Sequence, residues 1–288
     1  MPEAERPPLP EPLPFPVHDD HTHLNFAAEE PVWAEDEEPP GIAEARAELD
    51  AAESVGIAGV VQVGTNARDS RWAAALAERD DRVLAAVALH PNEAPRLAAR
   101  GRLEEALADI DALAAQPRVR AIGETGLDFF RTEGEGLAPQ RASFEAHIEI
   151  AKRHGIALQI HDRDAHDAIL EVLETVGAPE RTVLHCFSGD AEVARRCVDA
   201  GYYLSFAGTV TFKNAPRLRE ALAVTPLDRI LVETDAPFLT PEPYRGRPNA
   251  PYLVPHTLRR MAAELGMDLA ELGRQVHANA IRVYGAWV

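Results

Sequence analysis

Eight short runs rich in aliphatic and β-branched residues recur along the chain, at 17–24, 58–63, 83–89, 119–123, 157–161, 182–185, 202–206 and 230–233. The stretches between them carry helical spacing. Leu103, Ala106, Leu107, Ile110, Leu113 and Ala114 line one face of one stretch, and Ala165, Ile169, Val172, Leu173 and Val176 that of another. Pro139 just inside a helix start, and Gly155, Gly177 and Gly201 near helix ends, punctuate the pattern. Eight strand-helix units in 288 residues predict an α/β fold of the (β/α)8 TIM-barrel type, a closed parallel sheet with outer helices. The rival is an open doubly wound sheet, but no glycine-rich phosphate loop follows the first strand. The barrel is expected to fill residues 17–288. Residues 1–16, with seven prolines, read as a disordered, polyproline-like extension.

Composition excludes several functional classes. No apolar run reaches the roughly 18 residues that a membrane span needs, so a soluble protein with no membrane partner is expected. The start is acidic and proline-rich where a signal peptide would be basic and then apolar. Two cysteines, Cys186 and Cys197, make no disulfide framework, and together these features predict a cytoplasmic location. The net charge of −18 argues against tight, nonspecific duplex binding. That acidity is local, however: residues 1–50 hold fourteen acids against two arginines, which leaves −6 for the other 238 residues. Within it, segment 25–41 carries Glu29, Glu30, Glu35, Asp36, Glu37 and Glu38 and no basic residue. It reads as a solvated loop which, on the functional rim of a barrel, could screen substrates. No basic arm, zinc finger or obligate protein partner is evident.

The chemistry lies at the strand ends. His21 and His23 stand two apart on the first strand, so their imidazoles project the same way, as two ligands of one metal must. His90, His161 and His185 end later strands, and Glu124 and Asp235 close the fourth and the eighth. In a parallel barrel all these ends open on one face, where enzymes on this fold keep their active sites. Polar residues often merely terminate strands, but six donors of metal-binding type on five strands exceed that. They also exceed the needs of one tetrahedral ion. The natural division is two divalent ions, one held by His21, His23, Glu124 and Asp235, the other by Glu124, His161 and His185, with Glu124 as the bridge. Mixed imidazole and carboxylate ligands leave zinc, manganese, magnesium, iron and cobalt all admissible.

The runs AIGETGLDFF (121–130), IHDRDA (160–165), HCFSG (185–189), YYLSFAGTVTFKNA (202–215) and LVETDAPFLTPEPYRGRPNAP (231–251) resemble the TatD-family metal-dependent deoxyribonucleases of the amidohydrolase superfamily. The resemblance covers nearly everything from residue 17 onward. It implies a TIM barrel, a two-metal site on the six residues above, and hydrolysis of DNA phosphodiester bonds, often as a 3′-end exonuclease. Two departures bear on substrate preference: the first motif ends in Asn25 where the family usually has Asp, and the acidic insertion after it is long. Phosphotriesterase-like members of the superfamily bridge their metals with a carbamylated lysine on strand four. Here the only lysines are Lys152, on a predicted helix, and Lys213, after strand seven, while Glu124 takes the bridging place.

Two divalent ions against two carboxylates leave the pocket near +2, enough to attract a phosphodiester to an acidic chain. The ions would activate a bridging water for in-line attack, with Asp235 as general base and then proton donor to the leaving alkoxide. His90 resembles a family position near the scissile group, and as a structural residue would cap a tight turn. Arg163, Lys213, Arg245 and Arg247 fall in predicted rim loops and could clamp phosphates. Cys186 reads as a small buried residue facing away from His185, and Phe129, Phe130 and Phe238 as rim aromatics that could stack on a nucleobase, although such residues more often pack the loops. The leading expectation is a two-metal 3′-5′ exonuclease acting on single-stranded DNA or frayed 3′ ends. The alternatives are a metal-dependent ester or amide hydrolase, for example a D-aminoacyl-tRNA deacylase, and an inactive scaffold. Loss of ligands would favour the scaffold, and none of the six is lost.

Overall fold

The computed structural model describes residues 6–24 and 39–287, so most of the acidic segment 25–41 lies outside the described residues. Eight strands form one sheet in sequential order: β1 (Val17–Thr22), β2 (Ile57–Val63), β3 (Val83–Val87), β4 (Val119–Asp128), β5 (Ala157–Arg163), β6 (Thr182–Leu184), β7 (Tyr203–Phe206) and β8 (Ile230–Val232). All seven neighbouring pairs are parallel. Between β8 and β1 the sheet is closed by a parallel bridge from Thr22 to Ala236 and by backbone bonds from Asp235 N to His21 O and from His23 N to Ala236 O, both 2.9 Å. Helices on the outside link the strands, which is the predicted TIM barrel. No helix among the described residues is long and apolar enough to cross a membrane.

The alternation of side chains along each strand divides the apolar core in two. Val60, Val83, Ala85, Val87, Ile122, Leu158, Ile160, Leu204, Ile230 and Val232 join the helices in one large cluster. Their neighbours Val61, Val63, Leu84, Ala86, Ala121, Ala157, Val183, Tyr203 and Leu231 form a second cluster with Val283, Tyr284 and Trp287. The second cluster is therefore the barrel interior, and the end of the chain plugs its floor. The Trp287 ring stacks on His18 with centroids 3.8 Å apart and donates to Val60 O, and no Cβ would fit on Gly59 beneath it.

The described part of the N-terminal segment corrects the expectation of a free extension. Leu13 is buried and its N–H donates to Val55 O, Pro7 O accepts from the buried Tyr252 hydroxyl, and Arg6 pairs with Glu48. An apolar Leu13 with a place between elements, and backbone groups with partners, hold residues 6–16 along the barrel.

Candidate metal centre

Following the interior phase upward along the strands leads straight to the polar residues. Ala157 is followed at two-residue steps by Gln159 and His161, Val183 by His185, and Leu231 by Glu233. Two strands break phase. The β1–β2 register shifts between Asp19 and Thr22, and the β4–β5 register shifts between Ile122 and Thr125. Such irregularities re-aim side chains. They bring His21, His23 and Glu124 to the same mouth as the donors of the regular strands. Glu124 lies in the middle of β4, which runs on to Asp128, whereas the sequence placed it at the strand's end.

Four of the other five expected donors, with His90, converge on the two oxygens of Glu124, and Asp235 joins them through His21 and His23. Its Oε2 lies 3.5 Å from His21 Nε2 and 3.6 Å from His23 Nε2. Asp235 Oδ1 stands 3.8 and 3.6 Å from the same two nitrogens, which are 3.2 Å apart. Glu124 Oε1 lies 2.7 Å from His161 Nδ1, 3.3 Å from His185 Nε2 and 3.3 Å from His90 Nε2. A tetrahedral ion with bonds of about 2.0–2.1 Å spaces its donors by about 3.4 Å, close to the separations on the Oε2 side. His90 thus joins the donor cluster instead of only capping a turn, though its Nδ1 also accepts from Asn92 N.

The hydrogen bonds behind the cluster test whether a cation fits. Gln159 Nε2 donates to Asp20 O and to the Tyr284 hydroxyl, both at 2.7 Å. A backbone carbonyl can only accept, so the amide orientation is fixed and Gln159 Oε1 must face His21 Nδ1, 3.1 Å away, as an acceptor. His21 therefore carries its proton on Nδ1 and presents a lone pair at Nε2. His23 is set the same way by Val63 O, 3.0 Å from its Nδ1. Two imidazole lone pairs facing each other at 3.2 Å, with two carboxylate oxygens beside them, repel unless positive charge lies among them. The donor set fits a divalent ion.

Electrostatics point the same way. Burial opposes charge on His185, but Glu124 and Glu233 outweigh it and raise its pKa well above the usual imidazole value. Burial opposes charge on Glu124 too, yet the surrounding imidazoles, His90 and His185 first, hold it ionised far below the ordinary carboxylate range. The cavity is built for mixed charge and keeps both signs close.

Several supporting residues escaped the sequence reading. Gln159 is one, and its signal was a polar residue at an inward position of an apolar strand. Glu233, fully buried, accepts from Cys186 N at 2.8 Å and faces His185 Nδ1 at 3.3 Å. Asp128 lies 3.4 Å from His161 Nε2 and is held by Asn92 Nδ2 at 2.8 Å. Although burial opposes its charge, those partners and Arg131 N–H lower its pKa. Cys186 departs from expectation, because β6 ends at Leu184 and the chain turns there through a left-handed φ of 43°. Strand alternation no longer applies to it, and it is only half-buried.

The basic residues stay outside the cluster. Arg163, Lys213, Arg245 and Arg247 are all exposed in the rim, Arg163 over the Phe130 ring at 4.8 Å and Arg245 over Phe212 at 4.2 Å, beside Lys213. Arg247 packs loosely on Tyr244, 5.7 Å from its ring centroid.

Comparison with known proteins agrees with this architecture. The family model of TatD-related DNases matches residues 18–285. An "uncharacterized metal-dependent hydrolase TatD" of Mycobacterium tuberculosis is 43% identical over 271 residues, 93% of this chain and 97% of its own length. A Shigella flexneri protein named 3′-5′ ssDNA/RNA exonuclease TatD is 36% identical over 236 residues, 80% of this chain and 88% of its own. Among solved structures, YjjV, a TatD homolog from Escherichia coli, matches with a TM-score of 0.81 at 26% identity, over 93% of this chain and 97% of that one. A likeness this long, over a barrel whose mouth gathers metal-binding donors, makes the chain a member of the TatD family of metal-dependent hydrolases.

Proposed function

We propose that this hydrolase cleaves phosphodiester bonds in DNA with two divalent ions, working from the 3′ end of single-stranded or frayed substrates. The observation that carries the reading is the division at Glu124, which turns one oxygen to His21, His23 and Asp235 and the other to His161 and His185. The first four residues would hold one ion, and Glu124, His161 and His185 the other, with magnesium, zinc or manganese all compatible with the donors. Bound there, the ions would supply Lewis acidity, making a water more acidic and neutralising charge on the phosphoryl oxygens.

The chain's own groups do the rest. Asp235, whose carboxylate is mostly buried beside His21 and His23, takes the proton of the attacking water and returns it to the departing 3′ oxygen. His90, on the Oε1 side of Glu124, contacts the phosphate, and Arg163, Lys213, Arg245 and Arg247 hold the backbone on either side. Relatives named 3′-5′ ssDNA/RNA exonuclease support both the polarity and the preference for single strands. The unpaired Cys186 and Cys197 support a reducing compartment, the cytoplasm.

The test is metal analysis coupled to digestion of a 3′-labelled oligonucleotide, with an aminoacyl-tRNA as the competing substrate. Wild type should carry two ions and shorten the oligonucleotide from its 3′ end, and Glu124→Ala should lose ions and nearly all hydrolysis together. Full activity in Glu124→Ala, or deacylation without DNA cleavage, would overturn the proposal.

A further inference from the structure

Among the described large apolar side chains, Phe130 is the most exposed, at 62%, and it stands at the mouth of the barrel, just past the end of β4. An exposed ring that packed its own loop would be covered, and this one is not. Yet its backbone is held firmly. Phe129 N–H donates to Arg163 O at 2.9 Å, and Asp128 Oδ1 accepts from Phe130 N at 3.0 Å and Arg131 N at 2.8 Å. The other oxygen of the same carboxylate faces His161 Nε2 at 3.4 Å. One buried aspartate therefore ties the aromatic turn to a histidine of the donor cluster, and the backbone that carries the ring is held beside it.

The neighbour of the ring is equally telling. The Arg163 guanidinium lies 4.8 Å from the Phe130 centroid, exposed, and among the described residues it has no acidic partner. A planar cation against an aromatic ring leaves its N–H donors free for a phosphate while the ring offers surface to a flat apolar group. Phosphate and flat heterocycle at adjoining positions are the two halves of a nucleotide.

We infer that Phe130 and Arg163 form a nucleotide subsite at the rim, in which Phe130 stacks on an unpaired base within one nucleotide of the scissile phosphate and Arg163 holds the adjoining phosphate. The inference rests on the phosphodiesterase reading above and gives it a physical source of strand preference. A base inside a duplex has both faces covered by its neighbours and cannot reach the ring. Stacking is indifferent to sequence, since every base has a π-face, so the subsite selects single-stranded character and not a motif.

The experiment uses the metal-loaded enzyme on a single-stranded oligonucleotide and on versions with an abasic residue at the terminal or the penultimate 3′ position. Wild type should prefer the intact strand to one of the abasic strands by about ten-fold in kcat/KM, and Phe130→Ala should collapse that preference while Phe130→Trp keeps it. The effect should sit in KM, since stacking acts on binding. A second readout is the fluorescence of a terminal 2-aminopurine set next to an abasic residue in an uncleavable strand. Binding to wild type should quench it, and binding to Phe130→Ala should not. Equal cleavage of intact and abasic strands by wild type, or quenching that survives Phe130→Ala, would overturn the subsite while leaving the phosphodiesterase standing. If wild type cleaves none of the strands, the phosphodiesterase reading fails first and the subsite with it.

Discussion

Gln159 offers a sharp test of how the barrel prepares its donors. Its amide spans Asp20 O, the Tyr284 hydroxyl and His21 Nδ1, all fully or almost fully buried. In Gln159→Leu these three groups lose their partner without gaining water, and at about 1–3 kcal/mol for each the fold should lose at least about 3 kcal/mol. The lock on the His21 tautomer goes too, and loss of such a supporting bond weakens metal affinity about 10- to 100-fold. Tyr284→Phe is the control. It removes one of two acceptors from Gln159 Nε2 and should cost about 1 kcal/mol, but Asp20 O still fixes the amide, so metal affinity should stay within about two-fold. The assays are denaturant unfolding of the metal-free protein and competition for the metal by a chromophoric chelator, with nitrogen NMR reporting which His21 nitrogen is protonated. Should Gln159→Leu bind metal as tightly as wild type, or Tyr284→Phe weaken it as much as Gln159→Leu, the tautomer argument is wrong.

Two further outcomes concern stability away from the centre. His147, fully buried, takes Leu89 N–H on Nε2 and gives its Nδ1 proton to Ser143 O, so burial pushes its pKa down from 6.5 to about 4. Between those values the unfolded chain binds a proton that the native state does not, so stability is intact above pH 6.5 and falls as the pH drops towards 4, by about 3 kcal/mol from this group. Metal-free His147→Gln should start less stable at pH 7 but show a shallower decline over that window; parallel profiles would assign the acid sensitivity elsewhere. At the floor, Gly59→Ala would set a Cβ 2.5 Å from Trp287 Cδ1 and 2.7 Å from Arg82 O, and should destabilise by about 1–3 kcal/mol. A melting temperature within about 1 °C of wild type would mean that the C-terminal plug is not packed against β2 in solution.

The architecture was legible because its signals are local and periodic. Strand-length apolar runs and helical stripes were enough to count eight units, and the donors at strand ends followed from the rule that a parallel barrel has one functional face. What the sequence hid is what depends on phase. In β5 and β6 the two-residue step from Ala157 and Val183 leads to His161 and His185 without interruption. In β1 and β4 the register shifts, and no sequence signal marks the point where His21 and Glu124 change sides. Gln159 and Glu233 gave only the weak signal of a polar residue at an inward position, and Asp128 gave none, because it meets the cluster through His161 alone. The fixed course of residues 6–16 was masked by proline content, which says how stiff a segment is but not what it lies against.

The weak seam of the barrel and the strongest group of donors coincide, and there is a physical reason. Strand β8 is only three residues long, so the ladder that would close it on β1 is mostly missing. Buried carboxylates of β1 stand in for it: Asp19 accepts from Thr234 N at 2.8 Å and from the Thr234 hydroxyl at 2.5 Å, and Asp20 from Val232 N at 3.4 Å. Because side chains supplement a ladder reduced to one bridge and two backbone bonds at this edge, the chain beyond β8 can depart from regular strand geometry. Asp235 adopts a φ of 54°, which an aspartate tolerates better than most residues, and swings its carboxylate back over His21 and His23. A regular β8 would carry residue 235 straight past the mouth. The closure that looks incomplete as a sheet is what allows one residue to leave the barrel wall and complete the cluster within it.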